Sequence, residues 1–92
     1  SYYSGVKRTL LQLRRYDELL TYIDRRLRFV DHPSALIDIG EVLYKKNERM
    51  EATEHLEAVL QRYPTREIYA AVAATMINNQ AYDEGLQVYL SG

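Results

Sequence analysis

The chain has no cysteine, so disulfides, thiolate nucleophiles and cysteine-held metals are excluded, while the redox compartment stays open. Its four glycines are scattered, which rules out a glycine-rich phosphate loop, and two histidines leave few candidate bases. No run approaches the ~18 apolar residues of a membrane span, and no basic start leads into an apolar stretch and a cleavage site. A marked excess of either charge is missing too, since twelve basic side chains face thirteen acids and the formal net charge is −1. That balance hides an asymmetry. Residues 1–31 carry seven basic side chains against four acids, and residues 32–92 carry five against nine, making +3 and −4. A basic patch for nucleic acid or an acidic partner is one reading. Ordinary charged helix surfaces, with Asp24 and Arg28 as an i,i+4 pair, are the other, and a nucleic-acid binder usually has a larger basic excess.

What the chain does have is repetition. Tyr16-Asp17-Glu18-Leu19 returns at Tyr82-Asp83-Glu84-Gly85, and midway stands Arg49-Met50-Glu51-Ala52, at a spacing of 33 residues. A hydrophobic content of 47% with 27% charge is that of a folded chain rather than a disordered one, so the repeat must build packed structure. Superimposing the copies aligns Tyr3/Leu36/Tyr69, Val6/Ile39/Val72, Lys7/Gly40/Ala73 and Leu10/Leu43/Met76, then Leu19/Ala52/Gly85, Ile23/Leu56/Tyr89 and Leu27/Leu60. Steps of three and four residues make one stripe of a helix, where a strand would alternate. Each copy is therefore two amphipathic helices, six in all, over about 2–13, 16–30, 34–46, 49–63, 66–78 and 82–90. Pro33 suits a first helical turn, with Asp31 or Ser34 as its cap, and Pro64 precedes a capping Thr65. Polar corners at Arg14-Arg15, Asn47-Glu48 and Asn79-Gln80 separate the two helices within each copy, and asparagine suits the left-handed residue that ends a helix.

These residues resemble the tetratricopeptide repeats, whose unit of about 34 residues is a helix-turn-helix pair. In the second copy Leu36, Ile39, Gly40 and Leu43 match the first helix of that pattern, Ala52, Leu56 and Val59 the second, and Pro64 the terminal proline. Tyr69, Val72, Ala73, Met76, Gly85 and Tyr89 match in the third copy. The first departs from the pattern. Lys7 and Leu19 replace small residues and Arg26 stands where Ala or Val is usual, so this copy is either an atypical end repeat or has a first helix displaced in register. The resemblance implies an all-α, right-handed superhelix of three antiparallel pairs (residues 1–32, 33–65 and 66–92) forming one domain. With the first helix at the very start, and Leu90-Ser91-Gly92 lacking a polar capping helix, a piece of a longer repeat protein is expected. The small residues Gly40, Ala52, Ala73 and Gly85 would let helix backbones approach.

On this resemblance the first helix of each copy lines a concave groove. From the second copy Ser34, Ile37, Asp38, Glu41, Tyr44 and Lys45 would face it, and from the third Glu67, Ala70, Ala71, Ala74, Ile77 and Asn78. Tyr44 is the leading contact residue, whereas Tyr3, Tyr69 and Tyr89 fall in core columns. The alanine trough would accept an extended segment or an apolar helix of a protein partner, or else pack on a further helix of the same protein. A carboxylate clamp of the kind some family members use is not expected. The matching positions hold Ser4, Arg8, Asp38, Glu67 and Ala71, and only Arg8 has the right charge. Glu51 and His55 share a helix face but lack further ligands, so neither metal nor cofactor is expected, and His32 reads as a loop residue. The expected function is a non-catalytic protein-interaction scaffold. The alternative is a self-assembling structural segment, with RNA binding behind both.

Overall fold

A computed structural model describes residues 2–29 and 32–92. Six α-helices follow one another: α1 (Tyr2–Gln12), α2 (Tyr16–Leu27), α3 (Pro33–Lys45), α4 (Arg49–Arg62), α5 (Arg66–Asn78) and α6 (Tyr82–Ser91). No strand occurs among the described residues. The expected elements are all present, with ends moved by a few residues. The last part of the expected second helix is the largest change, because α2 stops at Leu27 and Val30 lies outside the described residues.

The three corners within pairs have the same geometry at intervals of 33 residues. Arg14, Asn47 and Gln80 take φ values of 57°, 68° and 65°. The amide of the following residue donates back to Leu10, Leu43 or Met76, at 2.9 Å in each case. This left-handed residue with a six-to-one hydrogen bond satisfies carbonyls that a helix end would leave unpaired. In the third corner the left-handed residue is Gln80 and not Asn79. Asn79 is buried, its amide donating to the Thr75 carbonyl at 2.7 Å.

Caps between pairs come from two sources. The Thr65 hydroxyl accepts from the Ile68 amide at 3.3 Å, as expected. At α3 the cap is His32, whose Nδ1 accepts from the Ser34 amide at 3.2 Å, ahead of Pro33 in the first turn. Ser34 is thus the donor to the cap and not the cap itself; Asp31 lies outside the described residues.

Packing follows the columns. Helix α3 contacts α4, α2 and α5, while α1 pairs with α2 and α5 with α6. One buried cluster joins Leu19, Ile23, Ala35 and Val42; the larger one joins Leu43, Ala52, Leu56, Val72 and Met76, with Leu20 and Ile39 touching both. A Cβ on Gly40 would lie 2.5 Å from Leu56 Cδ2, and one on Gly85 would lie 2.7 Å from Ile77 Cγ1. These small positions are therefore set by helix contact, and the buried, side-chain-poor Ala52 belongs with them.

The first pair is looser. Helix α1 has no fully buried residue, yet its corner repeats the hydrogen bond of the other two, so its register is not displaced there. Where the pattern substitutes Lys7 and Arg26, aromatic rings fill the space. Tyr3 stacks on Tyr22 with centroids 5.9 Å apart, and the Arg26 guanidinium sits 4.4 Å above the Tyr3 ring.

Candidate functional site

Helices α1 and α3 are joined by a polar cluster that forms because Lys7 occupies a column held elsewhere by glycine and alanine. Its ammonium reaches Asp38 Oδ1 and Glu41 Oε1, each at 2.9 Å. The Tyr3 hydroxyl donates to the second carboxylate oxygen of Asp38 at 2.6 Å. Burial opposes the Lys7 charge, but the hydrogen bonds to Asp38 and Glu41 outweigh it and raise the ammonium above its usual range. Burial, and then the bond to the Asp38 carboxylate, raise the Tyr3 phenol as well. Lys7 and Tyr3 therefore keep their protons at neutral pH, which suits structure better than acid–base work. Tyr3, Ser4, Lys7, Arg8, Leu11, Ser34 and Asp38 line a shallow depression here.

The expected groove residues divide into three groups. Asp38 and Glu41 are half-buried and committed to Lys7. Lys45, Glu67, Ala70, Ala74, Ile77 and Asn78 are exposed, and Ala71 packs partly against the larger core. Ile37 and Tyr44 do not face an open groove, being only 7% and 6% accessible. The reason is the neighbouring pair. Both belong to the cluster that includes Val72, Met76 and Ala81, and the Tyr44 hydroxyl shares a 2.8 Å hydrogen bond with Thr53. Burial raises the Tyr44 phenol. Nearby, the Arg49 guanidinium donates to the Asn79 and Gln80 carbonyls, both at 3.1 Å, tying α4 to the third corner.

Tyr89 moves the other way. Its column predicts core, yet it is 63% exposed, with Leu86 and Leu90 beside it on α6. Column averaging missed this because the corresponding Ile23 and Leu56 each have a following helix over them. Position in the series, not residue type, was the available signal. Tyr69, Ala70, Tyr89, Arg66 and Gly92 form an open cleft between α5 and α6.

The histidines are structural. His55 donates its Nε2 proton to the Leu36 carbonyl at 2.7 Å, joining α4 to α3, and His32 caps α3. Among the described residues no group of three or more His, Asp or Glu side chains could hold a metal ion, and no helix is long and apolar enough to cross a membrane. Compared with models of protein families, with curated proteins and with solved structures, the chain matches none.

Proposed function

We propose that the chain is a tetratricopeptide-like array of three helix pairs acting as a non-catalytic scaffold, with α1, α3 and α5 lining the concave side of a right-handed superhelix. The observation that supports it is the recurrence of one corner at Arg14, Asn47 and Gln80, with the same backbone hydrogen bond each time. Identical corners joined by connections of similar length stack pairs by similar steps, the basis of an extended binding surface. On that surface the exposed Lys45, Glu67, Ala74 and Asn78 are the contact positions for a peptide or helix of a protein partner, beside the committed pair Asp38 and Glu41. Ile37 and Tyr44 support the surface from beneath.

Affinity capture from an extract of the source organism tests the proposal, with the wild type compared against a Lys45→Glu, Ala74→Arg double variant. Both side chains are exposed, so the fold should survive, as circular dichroism would verify. Partners held by the wild type should be lost from the variant. Equal retention of all partners would exclude the groove. The self-assembly reading has its own support in the exposed end face of α5 and α6, where Ile77, Leu86 and Tyr89 are 38%, 54% and 63% accessible.

A further inference from the structure

Relating the pairs by 33 residues shows which side chains meet the preceding pair and which meet the following one. Toward the first pair, α3 turns Ala35, Asp38, Ile39 and Val42; Ala35 and Val42 are buried with Leu19 and Ile23, and Asp38 takes the Tyr3 hydroxyl. Their counterparts on α1 are Tyr2, Gly5, Val6 and Thr9, and these four line one open depression together with Leu10. Toward the third pair, the second turns Ile37, Tyr44, Thr53 and Leu56, of which Ile37, Tyr44 and Leu56 are buried in the larger core. The counterparts in the third pair are Ala70, Ile77, Leu86 and Tyr89, and all four are exposed. The molecule thus carries, at its two ends, the two halves of a joint it already makes twice.

We infer that these ends bind each other between copies, the α1 face of one chain seating on the α5–α6 face of another, head to tail. The inference rests on the repeat reading above but concerns a different surface from the groove. Two observations select a second copy as the occupant. The first is fit: in such a joint Gly5 stands where Asp38 or Ala71 stands, facing Tyr69 and Ala73 in place of Tyr3 and Lys7 or Leu36 and Gly40. It would be apolar, as between the second and third pairs. The second is charge. Residues 1–31 hold seven basic groups against four acids, whereas residues 66–92 hold Arg66 against Glu67, Asp83 and Glu84. The approaching ends therefore attract at long range, an attraction that salt screens. Because the contact is heterologous and follows a superhelical step, it does not close on itself and gives open chains.

Sedimentation velocity over a wide concentration range, at low and high salt, tests this. The wild type should show weight-average mass that keeps rising with concentration, less steeply in high salt. Thr9→Glu and Tyr89→Glu each place a carboxylate at an exposed position of one face, and each alone should lose the concentration dependence while keeping its helical circular dichroism. Mixed, they retain one good face apiece and should form a one-to-one dimer that grows no further. The Lys45→Glu, Ala74→Arg variant should assemble like the wild type, which separates this result from failure of the groove. A wild type that stays monomeric would overturn the inference, whether another protein or further repeats of the same polypeptide cover the end face. So would a closed dimer that survives Thr9→Glu, or a mixture of the two variants that remains monomeric.

Discussion

Two glycines in helices should respond in opposite directions to the same substitution, because only one of them is packed. A methyl group added at Gly40 would lie 2.5 Å from Leu56 Cδ2 and 2.6 Å from Leu56 Cγ. Leu56 is fully buried, so it cannot swing aside into solvent. Overpacking of this kind costs about 1–3 kcal/mol, against a gain of about 1 kcal/mol from replacing glycine by alanine inside a helix. The net for Gly40→Ala is a loss on the order of 1 kcal/mol, which in a domain of this size lowers Tm by about 4–8 °C. At Gly5 an added Cβ meets nothing within 4 Å, so Gly5→Ala keeps the helix gain and should raise Tm by a few degrees. Thermal melts and urea midpoints of the two variants measure the difference directly. A third measurement makes the cause explicit. Leu56→Ala alone should cost about 2–5 kcal/mol, but in that background Gly40→Ala should become neutral or favourable. The packing argument is refuted if Gly40→Ala stabilises as Gly5→Ala does, or if its cost persists when Leu56 is truncated.

Ala52→Leu adds three carbons at a fully buried position between α3 and α4 and should destabilise by about 1–3 kcal/mol; an unchanged melt would mean that α4 faces the core differently. Gln80→Gly removes a side chain from a residue at φ 65°, where glycine is the favoured helix terminator, and should raise Tm slightly; a lower Tm would show that the Gln80 side chain does more for the corner than its backbone strain costs. Stability should also fall on the alkaline side. Lys7 and Tyr3 both hold their protons more tightly when folded, so their contributions are complete below the ordinary values of ~10.4 and ~10 and are lost as pH rises through the higher folded values. Urea unfolding from neutral to strongly alkaline pH should show the decline, and Lys7→Met with Tyr3→Phe should flatten it at lower overall stability. A wild-type curve no steeper than that of the double variant would remove these groups as the cause.

What could be read from sequence was whatever the period averages over. Helices α2, α4 and α6 begin at Tyr16, Arg49 and Tyr82 because the same corner precedes each, and three copies of a weak signal reinforce one another. Features that occur once have no such support. The His32 cap depends on one imidazole accepting from the next helix, and α2 ends early without a proline or glycine to mark it. Intrinsic preference favours Asn79 over Gln80 as the left-handed residue, but register decides, since position 80 is the one equivalent to Arg14 and Asn47. The groove residues show the same limit. Ile37 and Tyr44 project from α3, yet the next pair covers them, and burial by a neighbour is a property of the packed pairs rather than of one helix.

The departures in the first copy acquire a physical meaning once they are placed together. Lys7 breaks a column of small residues, and in isolation it looks like decay of the pattern. Its partner Asp38 is equally unusual, for the third copy has Ala71 at that position and the first has Gly5. The two exceptions meet, with Tyr3 as the third member, only at the joint between the first and second pairs. Exchanging the second pair for the third there would set Lys7 and Tyr3 against Ala71, leaving a partly buried ammonium without its carboxylate, a cost on the order of 1–3 kcal/mol. The polar cluster therefore favours the native order of otherwise similar units, which apolar columns alone would specify weakly. A joint between Gly5 and Ala73 would lack this safeguard, since neither carries charge or bulk, and would be permissive where the joint between the first and second pairs is selective.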